Sequence, residues 1–266
     1  MKPKELMKRK KNTHKGESGH VLIIGGSEDY TGSLILAGLA ALRSGCDIVT
    51  IACPEKNAWA INTYTPDLIT KKLRGKELKP KHLKELKNLI EKADVLLIGN
   101  GSGTSKATAK FYKQLATETK EKLKVIDADA VKLLTLQEIN NSVVTPHKKE
   151  FEVLLENSGI KSSDKEILKD NVILLKGSVD KVLTRKKTIN IKGGNPGLAK
   201  AGTGDVLAGL TAGFLAQTND KEKAVVTASK VNKSIGDLLL KKKKGYSFIA
   251  SDMVEEINIV KKKFRL

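Results

Sequence analysis

The stretch Asn195-Pro-Gly-Leu-Ala-Lys-Ala-Gly-Thr-Gly-Asp-Val-Leu-Ala-Gly-Leu210 joins a glycine-rich turn to the start of an apolar helix. Glycines allow consecutive backbone N–H groups to point at one place, and the free N–H groups and dipole of a helix N-terminus favour negative charge there. A phosphate fits such a place. The stretch therefore predicts an anion-binding turn at Ala201-Gly-Thr-Gly204 and a helix that begins around Asp205.

Asp205 puts a carboxylate beside this predicted anion site. Such a carboxylate can accept a proton from a hydroxyl while that hydroxyl attacks a phosphoryl group. A simpler interpretation is an acidic residue in the first turn of a helix, where it interacts favourably with the helix dipole. The motif alone leaves both interpretations open.

Length and composition predict one large domain. The 266 residues are 39% hydrophobic, enough for one core, and no second composition regime marks another domain. We therefore expect a basic N-terminal arm at residues 1–15 and a single domain at residues 16–266. The apolar runs are too short to span a bilayer and the lysine-rich N-terminus lacks the apolar core of a signal peptide, so we expect a cytoplasmic protein that does not bind membranes. Cys46 and Cys53 have no Cys or His companions at metal-ligand spacing and are expected to be small core residues.

The formal net charge of +19 raises the possibility of nucleic-acid binding. Most of this charge is lysine, aromatic residues make up only 4% of the chain, and no basic stretch alternates with aromatic residues that could stack on bases. The lysine runs at 8–11, 241–244 and 261–263 lie at the N-terminus or at expected helix ends. We expect a solvated basic surface and no specific nucleic-acid partner, although a general preference for polyanionic ligands stays open.

Hydrophobic periodicity predicts an α/β fold with a mostly parallel central sheet and helices on both faces. Short apolar runs rich in β-branched residues predict strands at 21–24, 48–51, 95–98, 124–126, 142–144 and 172–175. Between them, helical periodicity predicts helices at 33–43, 80–91, 105–116 and 147–157. After residue 179 the pattern changes to a hairpin at 182–184 and 188–191, followed by helices from Thr203 onward.

Four loops that follow predicted strands contain residues suited to a ligand. They are Gly25 to Ser33, Gly99-Asn-Gly-Ser-Gly103, Thr145-Pro-His-Lys-Lys-Glu150 and Lys176-Gly177. Each has an ordinary explanation, such as a packing glycine, a helix cap or a surface lysine. In open α/β sheets, however, ligands bind at the carboxyl ends of strands. Four such loops at one edge therefore predict a binding site there.

Together these motifs resemble a known family, the nucleotide-dependent NAD(P)H-hydrate dehydratases of the ribokinase-like superfamily. The resemblance covers nearly the whole chain. It is carried by His14-Lys-Gly-Glu-Ser-Gly-His-Val-Leu-Ile-Ile-Gly-Gly-Ser27 with Tyr30-Thr-Gly32, Ala40-Ala-Leu-Arg-Ser-Gly45, Asp127-Ala-Asp-Ala130, Thr145-Pro-His147 with Glu150, Lys176-Gly177 and Ala201-Gly-Thr-Gly-Asp205. The chain departs from the family at two places: Ser33 stands where alanine is usual, and Gly99-Asn-Gly-Ser-Gly103 replaces the usual Gly-Pro-Gly-Leu-Gly.

The resemblance implies a repair reaction. The hydrated nicotinamide cofactors NADHX and NADPHX are converted back to NADH and NADPH with ADP or ATP as co-substrate and Mg²⁺. Hydroxide is a poor leaving group, so the hydrate hydroxyl is phosphorylated and phosphate is then eliminated. In this interpretation Asp205 is the general base on the hydroxyl, and the N–H groups of Ala201 to Gly204 hold the transferring phosphoryl.

The resemblance also implies the remaining site residues. Substrate would be contacted by Ser33, Gly103 and His147 together with Asp205. The nucleotide would be contacted by Lys176, Gly177, Ser178, Val179 and Asp180 and by Ala201, Gly202, Thr203 and Gly204. Glu150 would act on the metal through water.

Partners follow from the family as expectations. Many relatives carry an epimerase domain, so we expect a separate epimerase polypeptide for this chain, and we expect a homo-oligomer. One alternative function stays open, a ribokinase-like small-molecule kinase that uses the same anion turn and stops at a phosphorylated product. The sequence does not choose between ADP and ATP.

Overall fold

The computed structural model describes residue 12 and residues 14–160, 168–242, 245–264 and 266. Most of the predicted basic arm, including the lysine run at 8–11, lies outside the described residues, and so do residues 243–244 of the second run. Within the described chain, none of the helices is both long enough and apolar enough to cross a membrane.

Among the described residues, nine strands form one sheet in the order β3-β2-β1-β4-β5-β6-β7-β8-β9. The strands from β1 to β7 pair in parallel, and β8 and β9 add an antiparallel hairpin at one edge. The bounds are β1 His20–Ile24, β2 Ile48–Pro54, β3 Ile69–Leu73, β4 Val95–Ile98, β5 Leu123–Ile126, β6 Ser142–Val144, β7 Val172–Leu175, β8 Asp180–Leu183 and β9 Thr188–Ile191.

Helices cover both faces of this sheet. Their bounds are α1 Gly32–Ser44, α2 Glu55–Tyr64, α3 His82–Lys92, α4 Lys106–Glu118, α5 Ala128–Leu133, α6 Lys148–Asn157, α7 Thr203–Thr218, α8 Lys221–Lys242 and α9 Ala250–Phe264, with a short 3-10 turn at Pro196–Ala199. The predicted fold class, the mostly parallel sheet and the C-terminal run of helices are confirmed.

Alternating strand residues divide the core into two layers. Val21, Ile23 and Leu97 point to one face, where α1, α7, α8 and α9 pack, and Leu22 and Ile24 point to the other, where α3 to α6 pack. Successive side chains on a strand point to opposite faces, so strands covered on both sides are apolar throughout. This is why the central strands were visible in the sequence. The two cysteines are buried, as expected.

The sequence interpretation missed three elements, α2, β3 and α5. β3 is an edge strand whose sequence Ile-Thr-Lys-Lys-Leu has only Leu73 fully buried. An edge strand needs an apolar residue only where it faces the core, and lysines on it discourage pairing with another chain. α5 has only six residues, too few for a helical period to stand out.

The sheet order places the predicted site. From β1 the chain moves outward to β2 and β3, and then returns to the other side of β1 as β4. At this reversal the loops after β1 and β4 lie next to each other, and the Gly26 N–H donates to the Asn100 carbonyl at 2.9 Å. Such a reversal opens a crevice at the carboxyl ends of the strands, where ligands bind in open α/β sheets.

α7 carries the predicted anion turn into this crevice. It is packed on all sides, with Val206 to Leu215 buried. It crosses α1 closely: a Cβ atom added to Gly209 would lie 2.1 Å from the Ala37 carbonyl oxygen, so only glycine fits there. This close crossing holds the N-terminus of α7 in place relative to the sheet.

Candidate active site

The anion turn ends in a left-handed residue. Gly202 is the N-cap of α7 with φ 87°, and the helix begins at Thr203, the residue from which the sequence pattern predicts the C-terminal helices. A side chain on Gly202 would also meet Leu36 and Ala250 at 2.7 and 2.8 Å. Glycine is therefore required at Gly202, both for its conformation and for the close contact of the neighbouring helices.

Not every N–H group of the turn is available to a ligand. The Thr203 N–H donates to the Lys200 carbonyl at 3.3 Å, which differs from the expectation that all four turn residues hold phosphate. The reason is that the chain tightens into a turn before the helix starts. The N–H groups of Ala201, Gly202, Gly204 and Asp205 have no acceptor among the described residues, so these can bind an anion.

Asp205 lies in the first turn of α7 and its carboxylate is held by one side chain from the loop after β4. The Asn100 side-chain nitrogen donates to Asp205 Oδ1 at 2.7 Å and to Asp127 Oδ2 at 3.2 Å. Burial and the negative charge of Asp127 raise the pKa of Asp205 to about 6, although the Asn100 amide and the Lys176 ammonium act to lower it. A carboxylate with such a pKa is ionised at neutral pH and is still basic enough to accept a proton.

Lys176 brings a cation to the same place. Its Nζ lies 3.0 Å from Asp127 Oδ1 and 3.9 Å from Glu150 Oε2. Burial lowers the pKa of Lys176, but the carboxylates of Asp127 and Glu150 outweigh burial and hold the pKa above its ordinary value. A side chain on Gly204 would place its Cβ 3.5 Å from this ammonium, so the cation is beside the anion turn.

His147 and Glu150 form the cap of α6. The Glu150 N–H donates to His147 Nδ1 at 3.2 Å, and the His147 N–H donates to Glu150 Oε2 at 2.9 Å. This reciprocal pair is a capping box, with histidine in the place of the usual serine or threonine. His147 therefore does cap α6. The side chain is still 52% exposed, so its Nε2 edge can contact a ligand as well.

The loop after β7 joins the loop after β6. The Lys176 N–H donates to the Pro146 carbonyl at 2.9 Å, and His147 and Lys176 pair as an isolated parallel bridge. The predicted substrate residue His147 and the predicted nucleotide residue Lys176 are thus neighbours, connected also through Glu150. The separation of these two loops in the sequence hid this contact.

The predicted nucleotide loop at 177–180 has one buried residue. Asp180 accepts the Gly177 N–H at 2.9 Å and the Ser229 hydroxyl at 2.7 Å, and its side chain points away from solvent. Lys233 donates to the carbonyls of Gly177 and Ser178, both at 3.1 Å. Asp180 and Lys233 therefore hold the loop by hydrogen bonds from its buried side. Gly177, Ser178 and Val179 are exposed and can contact a ligand.

The two departures from the family pattern lie in contact. The Ser33 hydroxyl is buried without a hydrogen-bond partner among the described residues, and a Cβ atom on Gly101 would lie 2.4 Å from it. The Gly103 N–H donates to Asp129 Oδ2 at 2.9 Å, so this N–H is already paired. Ser33 and Gly103 lie in two altered loops that pack on each other, and their contact with substrate stays a prediction.

Asn100 and Asp127 were not assigned roles from the sequence. Asp127 belongs to a motif that supported the resemblance, and both residues directly follow strands or their turns, which is the one signal that could have identified them. Asp127 is 2% exposed and accepts from Asn100, Lys176 and the Thr145 hydroxyl. It is the common partner of the loops after β4, β6 and β7.

A metal ion would find few protein ligands here. No group of three or more His, Cys, Asp or Glu side chains within the described ranges could hold a metal. Glu150 is the predicted metal residue, and one of its oxygens already accepts the His147 N–H. This donor set fits a Mg²⁺ ion that keeps most of its water and is bound chiefly by phosphate oxygens, as Mg²⁺ usually is.

Comparison with known proteins identifies the family of this chain. A family model described as NAD(P)H-hydrate dehydratase matches residues 21–258. A bifunctional NAD(P)H-hydrate repair enzyme of Hyperthermus butylicus is 39% identical over 262 residues, which cover 92% of this chain and 48% of that protein. An ADP-dependent (S)-NAD(P)H-hydrate dehydratase of Lactococcus lactis is 32% identical, over 98% of this chain and 96% of its own length.

The fold has a close match among solved structures. A crystal structure of a ribokinase-like superfamily protein from Enterococcus faecalis matches with a TM-score of 0.84 and 27% identity, over 97% of this chain and 92% of that one. The expected ribokinase-like fold is confirmed. The chain spans about half the length of the bifunctional repair enzymes that it matches.

Proposed function

Because the chain belongs to the NAD(P)H-hydrate dehydratase family, we propose that it converts NADHX and NADPHX back to NADH and NADPH with ADP or ATP as co-substrate. The observation that carries this proposal is the half-buried Asp205 carboxylate in the first turn of a helix whose N-terminal N–H groups at Gly204 and Asp205 have no acceptor among the described residues. Phosphorylation of a hydroxyl needs a base and a phosphate-binding site side by side.

In the first step the hydroxyl oxygen of the hydrate attacks the terminal phosphoryl group of the nucleotide, and Asp205 takes the proton of that hydroxyl. The P–O bond to the nucleotide breaks, and the nucleotide leaves one phosphate shorter. The free N–H groups of Gly204 and Asp205 and the Lys176 ammonium, which lies beside them, stabilise the charge on the transferring phosphoryl. Phosphate is a far better leaving group than hydroxide.

In the second step phosphate leaves and the adjacent ring carbon loses a proton, which restores the dihydropyridine. The loops with Ser33, Gly103 and His147 hold the dinucleotide, and the exposed residues Gly177 to Val179 contact the nucleotide. Mg²⁺, when bound, neutralises phosphate charge, and Glu150 would reach it through water. Cytoplasmic location, a homo-oligomeric state and a separate epimerase stay predictions.

The direct test is recovery of the absorbance of NADH from purified NADHX in the presence of ADP or ATP. The proposal expects recovery that depends on the nucleotide and releases inorganic phosphate in equal amount. A ribokinase-like kinase would consume the nucleotide without restoring NADH absorbance. Nucleotide consumption with a stable phosphorylated product would therefore replace the proposal with the kinase alternative.

The pKa of Asp205 predicts the pH dependence. As a base Asp205 must be ionised, and its pKa in the free enzyme is raised to about 6 by burial and Asp127. We expect kcat/KM for NADHX to be level above this pH and to fall about tenfold per pH unit below it. Steady-state rates from acid to alkaline pH measure the curve. A curve that stays level to well below pH 6 in the folded enzyme would exclude Asp205 as the base.

The exposed imidazole of His147 predicts that a change of this residue affects the KM for substrate and leaves the affinity for nucleotide unchanged. Replacing His147 by alanine removes both the cap and the imidazole, whereas asparagine keeps an oxygen that caps the helix. We expect His147→Asn to melt like the wild type, to raise the KM for NADHX by roughly tenfold through loss of a polar contact, and to bind ADP and ATP normally. Steady-state kinetics and calorimetry measure the two effects. A normal KM for NADHX in His147→Asn would leave His147 with its capping role alone.

A further inference from the structure

We propose that Asn100 is a positioning residue for this reaction, because its side-chain amide orients the Asp205 carboxylate and links it to Asp127. The inference rests on the proposed function, in which Asp205 is the base. It concerns a residue at one of the two places where the chain departs from the family pattern, since asparagine stands where proline is usual. Proline has no side-chain donor, so a chain with proline at this place cannot make this contact.

The orientation of the amide follows from charge. Asn100 is fully buried, and its nitrogen has two hydrogens, one for Asp205 Oδ1 at 2.7 Å and one for Asp127 Oδ2 at 3.2 Å. The opposite orientation would direct the amide oxygen at two carboxylates, which is unfavourable. The amide oxygen has no partner among the described residues, so the nitrogen makes both of the side chain's hydrogen bonds.

The backbone holds Asn100 in place. Its carbonyl accepts the Gly26 N–H at 2.9 Å, and a Cβ atom on Gly25 would lie 2.5 Å from that carbonyl oxygen. On one side Gly99 has φ 110° and lies against the Asp127 carbonyl, where only glycine fits. The amide is thus carried by a turn that is tied to the loops after β1 and β5.

The charges around Asp205 explain why a donor is needed. Burial most of all, then Asp127 and, more weakly, Asp129 act to raise the pKa of Asp205, and Lys176 acts to lower it. Lys176, however, lies 3.0 Å from Asp127 and is shared with Glu150. Asn100 is the one group that donates to Asp205 itself through a side chain in the described part of the chain. Its loss leaves the buried carboxylate opposite Asp127 with no direct donor.

The test compares pH profiles of kcat/KM for NADHX in the wild type and in Asn100→Leu, which keeps the shape and removes the amide. We expect the acid limb of Asn100→Leu to move to higher pH by about one pH unit, so activity falls about fivefold at pH 6, approaches a tenfold loss at more acid pH, and recovers at alkaline pH. Asn100→Asp, which is isosteric and adds a third carboxylate, should move the limb in the same direction. Affinity for ADP and ATP should change little.

Asn171→Leu is the matched control. Asn171 is also a buried asparagine, 1% exposed, with hydrogen bonds to the backbone of Ser142 and Ile139, but it precedes β7 at the opposite end of the strands. It should lose stability without moving the acid limb. An unchanged limb in both Asn100 variants, or an equal movement in Asn171→Leu, would overturn the inference.

Carbon NMR of labelled aspartate measures the same contact without turnover. The Asp205 carboxyl signal is identified by its loss in Asp205→Asn, and it should titrate at higher pH in Asn100→Leu than in the wild type. An unchanged titration would overturn the inference even in an active enzyme. Conversely, a wild type that fails to produce NADH would overturn the proposed function alone, and the titration would still decide whether Asn100 holds the carboxylate.

Discussion

Asp205→Asn is expected to lower kcat for NADHX dehydration by roughly two to four orders of magnitude, because the amide keeps the size of the side chain and cannot take a proton. The Asn100 nitrogen, 2.7 Å from Asp205 Oδ1, can still donate to the amide oxygen of the new side chain, so the geometry of the turn survives. Nucleotide affinity should change much less than turnover. Steady-state kinetics and calorimetry measure the two quantities.

The melting temperature of Asp205→Asn distinguishes the expected loss of turnover from misfolding. The pKa of Asp205 is raised to about 6 in the folded chain, so folding disfavours its ionised form. The destabilisation is complete above the folded pKa and disappears below the ordinary pKa of an aspartate. At neutral pH the neutral amide removes it, and the melting temperature of Asp205→Asn should be equal to or above that of the wild type.

Asp94→Asn is a suitable control, because Asp94 also accepts a hydrogen bond, in this case from the His20 backbone N–H at 2.8 Å, but lies at the amino ends of the strands. It should keep normal turnover. Near-normal turnover in Asp205→Asn itself would remove Asp205 from the mechanism.

Gly204→Val is expected to weaken binding of ADP and ATP by roughly tenfold to a hundredfold, because its methyl groups fill the space where phosphate meets the N–H groups of the turn. Gly204 is helical and is not among the left-handed glycines, so valine introduces no strain at its φ. The nearest atom to an added Cβ is Lys176 Nζ at 3.5 Å, an ordinary contact. The variant should therefore fold, and calorimetry measures the affinity directly.

Gly32→Val provides the matched control. Gly32 is also the start of a helix and has open space around an added Cβ. It should leave nucleotide affinity unchanged while carrying the same change in helix propensity. Gly202→Val is unsuitable, since a side chain there meets Leu36 and Ala250 and disturbs the fold itself. Normal nucleotide affinity in folded Gly204→Val would mean that phosphate binds elsewhere.

Several features of this protein could be read from its sequence. The inner strands were visible because a strand covered by helices on both faces is apolar along its whole length, as Val21 to Ile24 are. The hairpin, the burial of the cysteines and the glycine turn before α7 follow from local patterns of the same kind. The edge of the sheet where the candidate site lies also followed, because parallel strands place their carboxyl ends together.

Other features depend on which elements become neighbours. Asn100 and Asp205 are 105 residues apart in the chain, and they meet because the sheet order places β4 beside β1 and the close crossing of α1 and α7 holds α7 over that crevice. The pKa of Asp205 results from burial and from Asp127, which reaches it from the loop after β5. Local patterns determined the elements and indicated the type of candidate site. The proton affinity of Asp205 was decided by contacts and burial that exist only once the sheet has formed, since electrostatic interactions depend on distance in space and not on separation along the chain.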